Sequence, residues 1–129
     1  MERRIINPWQ WQDQRGYVQA VEVKQAASTL YCSGQTAIDA DGRSSTADMR
    51  TQLVETLQNL EYVIEQAGYE PKNIVRLNTY TTSSAELFTC FDVLQGWVTR
   101  HAMQQATTLL EVKNLFETLT VELEAAAVK

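Results

Sequence analysis

"VIEQAGYEPKNIVRLNTYTT", residues 63–82, changes its hydrophobic period partway through. Ile64 and Ala67 complete a stripe begun by Met49, Leu53, Leu57 and Leu60, whose spacings of three and four predict one long amphipathic helix. Gly68 is its natural left-handed stop, and "YEPKN" is a loop. From Ile74 the residues are β-rich and alternate. Ile74, Arg76, Asn78 and Tyr80 take one face, and Val75, Leu77, Thr79 and Thr81 the other. A helix feeding directly into a strand places helices on a sheet.

The flanking segments extend this pattern. Residues 83–102 read as a second helix with a capping box, Ser83 and Glu86, and a stripe of Leu87, Phe91, Leu94 and Val98. Gly96 inside it costs about 1 kcal/mol of helix propensity and leaves room for close packing. Strands follow at 106–113 and 119–127. The last places Val121, Leu123 and Ala125 on one face and two carboxylates, Glu122 and Glu124, on the other. Upstream, 3–8, 17–24 and 29–38 read as strands, the third interrupted by Gly34, where a bulge or a close backbone approach is expected. Ser45 three residues before Asp48 resembles a capping box for the long helix. The order is β-β-β-α-β-α-β-β in a single domain spanning residues 1–129, with two helices covering one face of a mixed sheet in a two-layer α+β fold. The other sheet face keeps apolar side chains, which points to oligomerisation.

Composition narrows the function classes. The net charge of −5 argues against a nucleic-acid surface, although Arg3, Arg4 and Arg15 sit together near the start. No apolar run is long enough to cross a membrane, and the opening "MERRIINPWQWQDQRG" lacks the apolar stretch of a signal peptide, so a cytoplasmic protein is expected. Cys32 and Cys90 read as free, buried thiols. A single histidine, His101, and no CxxC pair leave no metal-binding pattern. His101 sits where it complements a helix C-terminus. Trp9, Trp11 and Trp97 read as packing or subunit contacts.

Four segments in order and spacing, "GYVQAVEV" (16–23), "LYCSGQTAIDADG" (30–42), residues 63–82 and "ATTLLEVKNLFETLTVELEAAAV" (106–128), resemble the YjgF/RidA family, also called the endoribonuclease L-PSP family. The resemblance covers the chain from Gly16 onward. It implies a chorismate-mutase-like subunit in a homotrimer, ligand clefts between subunits, and cofactor-free hydrolysis of 2-aminoacrylate and related enamines or imines to 2-keto acids. A family arginine that grips the substrate carboxylate falls on Thr107, and the preceding proline falls on Gln105. The family tyrosine falls on Tyr17, its Ser-Gly on Ser33 and Gly34, its last-strand glutamate on Glu122, and a helix asparagine on Phe91. The implied catalytic residues are Glu122 and Tyr17. The implied ligand-binding residues are Thr107, Ser33, Gly34 and Phe91.

Threonine cannot replace a bidentate guanidinium. The expectation is therefore a trimer that binds a small-molecule metabolite, a neutral or cationic amine, imine or amide, with the family's deaminase activity absent or weak. Two alternatives remain open: an active deaminase using Arg76 or Arg100 as its cation, and a trimer whose surface is its function.

Overall fold

The computed structural model describes residues 1–129. Six strands, β1 (Glu2–Ile6), β2 (Ala20–Lys24), β3 (Thr29–Gln35), β4 (Ile74–Thr81), β5 (Ala106–Glu111) and β6 (Val121–Val128), alternate with three helices, α1 (Met49–Gln66), α2 (Ser84–Thr89) and α3 (Phe91–Arg100). The main sheet has the order β3-β6-β4-β5, with β4 and β5 parallel and the other pairs antiparallel. β1 and β2 form a separate antiparallel ribbon. It meets the main sheet where the amide of Val18 donates to the carbonyl of Gln105, 3.0 Å away. The expected two-layer α+β mixed sheet is present, divided four strands and two.

The core lies between the helices and one face of the main sheet. Leu53, Leu60 and Ile64 of α1 are fully buried against Leu77, Val121, Leu123 and Ala127. α1 ends in a Schellman motif: Gly68 has φ +78°, its amide donates to the Glu65 carbonyl, and the Tyr69 amide reaches the Ile64 carbonyl. Asp48, not Ser45, is the N-cap; its carboxylate accepts from the Thr51 amide at 2.9 Å, while Ser45 closes a local turn onto Ala47.

Three other sequence-based expectations need correction. The helix expected over 83–102 is broken at Cys90, where φ −122° and ψ 20° leave the helical region. The Thr89 hydroxyl donates to the Glu86 carbonyl and the Cys90 thiol to Leu87, side-chain bonds that compete with the helical ladder. Ile74 is buried among the core residues rather than sharing a face with Arg76, because an extra residue at Val75 breaks the register against β6. Gly96 permits no close approach, since a Cβ there would meet nothing within 4 Å. Gly96→Ala is therefore expected to stabilise the fold by about 0.5–1 kcal/mol through helix propensity. Urea denaturation measures this, and a loss of stability would reveal an unseen contact at that surface.

Candidate functional site

The sequence-derived site residues fall into two groups on opposite faces of the main sheet. Strand register accounts for the division. Thr107 pairs with Leu77 and Leu109 with Thr79, facing the helices; Thr108 pairs with Asn78 and Leu110 with Tyr80, facing away.

On the helix side, Tyr17, Thr107 and Phe91 line one cavity of about 460 Å³, with Leu77, Thr79, Leu94, Val98 and Leu109 as apolar walls. This volume suits a small organic ligand. Thr107 donates its hydroxyl hydrogen to the Leu77 carbonyl, so only its oxygen lone pairs remain for a guest. Phe88 packs edge-on against Phe91 and is largely exposed at the opening.

A third wall comes from the polar segment before β2. A short 3-10 turn, Asp13–Arg15, ends at Gly16, whose φ of +78° is a left-handed conformation that glycine adopts without strain. Two glutamines hold this turn. Gln95 of α3 donates to the Gln14 carbonyl at 3.1 Å, and Gln105 donates to the Gly16 carbonyl at 2.8 Å. Gln105 stands where the resemblance implies proline, a residue that could not make this contact. It is buried, and its Oε1 has no donor. The turn brings Arg15 to the cavity lining. Its guanidinium lies 5.0 Å from the centroid of the Trp11 ring. Trp11 in turn packs between Trp9 and Tyr17, with ring centroids 6.4 Å apart in each pair. Arg15 forms no ion pair, unlike Arg4, Arg43 and Arg50.

Sequence reasoning grouped Arg15 only with the cations of the first residues and missed Gln95. The available signal was an Arg-Gly-Tyr step leading into a strand. Arg76 and Arg100, the substitutes considered from sequence, stand elsewhere. Arg76 bonds Thr108 on the far face, and Arg100 lines a groove between α1 and α3. Of the remaining singled-out residues, Trp97 is buried and donates to Glu61, which also lies 2.9 Å from His101 at the end of α3. Both cysteines are free and buried.

On the far face, Ser33 and Gly34 form a bulge. Three residue steps of β3, Cys32 to Gln35, oppose two of β6, Ala125 to Leu123. The Glu122 side chain lies across Gly34, where a Cβ would come 2.6 Å from its carboxyl carbon. The bulge and the close approach are the two features expected there from sequence. The two carboxylates of β6 differ in surroundings. Glu124 accepts hydrogen bonds from Asn78 and Tyr80, both at 3.0 Å, which hold its pKa below the usual glutamate value and raise that of the tyrosine. Glu122 has no hydrogen bond or cation. Burial first, and the charge of Glu124 second, push its pKa above the ordinary 4.5.

A carboxyl raised in this way adds stability below its unfolded pKa and loses that contribution as pH rises through the folded value. Glu122→Gln is therefore expected to gain stability relative to the unsubstituted chain between about pH 4 and about pH 7. Urea denaturation at both pH values measures the gap, and a gap that narrows towards neutrality contradicts the assignment.

Residues 11–129 match the family model described as endoribonuclease L-PSP. A crystal structure from Yersinia pestis, described as a protein of unknown function of the conserved Rid family, YyfB, superposes with TM-score 0.88 at 31% identity, covering 100% of both chains. The YjgF gene product of Escherichia coli superposes with TM-score 0.70 at 26% identity over 88% of this chain and 87% of that one. The 2-iminobutanoate/2-iminopropanoate deaminase of Salmonella typhimurium is 27% identical over 114 residues, 88% of this chain and 87% of the relative. No helix is long and apolar enough to cross a membrane.

Proposed function

This chain belongs to the endoribonuclease L-PSP (YjgF/RidA) family, and on that premise we propose a small-molecule-binding homotrimer with ligand sites between subunits and weak or absent 2-imino acid deaminase activity. The observation that carries the proposal is Thr107. It lies in the cavity wall where the family resemblance calls for arginine, and its hydroxyl is already donated to Leu77. A short 2-imino acid offers little besides its carboxylate for recognition. Losing the bidentate partner for that carboxylate forfeits charge-assisted hydrogen bonds worth roughly 1.5–3 kcal/mol each.

Assembly is supported by the division of the site. Within one chain the sheet separates Glu122, Ser33 and Gly34 from the Tyr17–Thr107 cavity. A neighbouring copy can present the first group at the opening of the second. The far face also leaves Tyr31 82% exposed and Leu110 half exposed. Such apolar exposure on a sheet suits burial by another copy, and a heterologous contact between identical chains must close into a ring to remain finite.

Two measurements test this reading. Keto-acid release from freshly generated 2-iminobutanoate should be far slower than with the Salmonella relative assayed in parallel. Sedimentation equilibrium should give close to three times the chain mass of 14.6 kDa. Equal turnover overturns the catalytic half of the proposal, and a monomer overturns the assembly. Arg15 in the cavity lining favours a second reading, a deaminase whose cation comes from the chain's own N-terminal segment.

A further inference from the structure

We infer that the cavity selects amphipathic monocarboxylates, with the anionic head on Arg15 at the rim and an apolar body among Phe91, Leu94 and Leu109. This deepens the proposed function and rests on its reading of the cavity as a ligand site. Arg15 is exposed, whereas Leu77, Leu94 and Val98 are buried, so the cavity runs from a cationic edge to an apolar floor. The geometry also prepares the guanidinium for an anion. Trp11 supports it at 5.0 Å, no carboxylate of the chain neutralises it, and the glutamine contacts to Gln14 and Gly16 fix the backbone on either side. A planar cation stacked on a ring keeps its N–H edge free for two parallel hydrogen bonds to a carboxylate.

Threonine at 107 makes the floor less polar than a guanidinium there would. A cavity of about 460 Å³ has space for a body much larger than the two- or three-carbon chain of a small imino acid. Such a body removes apolar area from water at roughly 25 cal/mol per Å², while a short acid that reaches only Arg15 leaves the floor unfilled.

The test compares 4-phenylbutanoate with 4-phenylbutanamide by isothermal titration calorimetry on the full-length protein. The acid is expected to bind about tenfold or more tightly than the isosteric amide, consistent with a charge-assisted contact near the surface. Arg15→Gln should bring the two affinities together chiefly by weakening the acid, and Arg15→Lys should restore part of the preference. Acetate should bind far more weakly than 4-phenylbutanoate. Far-ultraviolet circular dichroism and sedimentation check that each variant keeps its fold and mass. If acid and amide bind equally, or the preference survives in Arg15→Gln, the inference fails while the cavity remains a ligand site. If neither compound binds, the inference fails. If a wider panel of uncharged ligands also finds no binder, the ligand-site reading falls with it.

Discussion

Thr107→Arg is expected to raise kcat/KM for keto-acid release from 2-iminobutanoate on the order of ten- to a thousand-fold. The substitution places a planar fork in the wall between Tyr17 and Leu109. Both of its hydrogen bonds to a carboxylate would form in surroundings poorer in water than the surface, where they are stronger. The variant should also be less stable than the parent without ligand, because the new cation is half-buried beside apolar residues with no partner. Substrate analogues bearing a carboxylate should recover that stability by binding. Thr107→Lys should gain less, since an ammonium is a point charge and cannot hold both oxygens. If Thr107→Arg folds, assembles and shows no gain, the absence of arginine is not what limits the reaction. The remaining inventory, Tyr17 and the Glu122 that the proposed assembly would bring to the cavity from another copy, is then itself incompetent.

The second large effect concerns stability. Leu123→Ala should lower the unfolding free energy by about 3–5 kcal/mol, measured by urea denaturation. Leu123 is fully buried on β6, a central strand of the main sheet, opposite Thr79 of β4 and Gln35 of β3. Strands on both sides and helices above hold its surroundings rigid, so the cavity left by the lost isobutyl group cannot collapse. Glu124→Gln, one position on, keeps the side-chain shape on the open face and should change stability far less. A Leu123→Ala cost below about 1 kcal/mol would mean that the core relaxes around β6 or that the strand is not central.

Much of this fold was legible in the sequence because its two periodicities are clear. The α1 stripe is buried from Met49 to Ile64 as its spacing implies, while Ala67, counted with it in the sequence, is the exposed C-cap, and the alternation of β6 separates Val121, Leu123 and Ala125 from the two glutamates. What escaped were departures that no period encodes. The extra residue at Val75 re-aims Ile74, and the break at Cys90 depends on hydroxyl and thiol contacts to carbonyls in the preceding turn. The buried polar side chains were equally hidden. Gln52 looks like a helix-surface residue, yet it is fully buried, donating to the Ala47 and Thr118 carbonyls and accepting from the Thr120 amide. Gln12 looks like part of a polar loop, yet it too is fully buried and accepts from Gln19.

The candidate site follows the same division. Tyr17, Thr107 and Phe91 came from the resemblance and line one cavity. The alternation of β6 already turned Glu122 away from its apolar face, but that Thr107 sits on the helix side, dividing the site, follows from the pairing of β5 with β4, which single-strand patterns do not reveal. Arg15 reaches the cavity through contacts with glutamines far along the chain, and composition near the start could only report it as one of several cations.

Those glutamine contacts have a consequence for how the rim is held. The Gly16–Gln105 bond spans 89 positions and the Gln14–Gln95 bond 81, so each closes most of the chain into a loop. Closing loops of that length costs more chain entropy than forming the local helices or pairing β4 with its neighbours, a cost that the β3–β6 pairing shares. The rim carrying Arg15 is accordingly held by residues far along the chain and depends on their placement. No residue of 1–15 belongs to the main hydrophobic cluster, so shortening the amino terminus is expected to remove the rim while the interior persists, separating the proposed binding from the ability to fold.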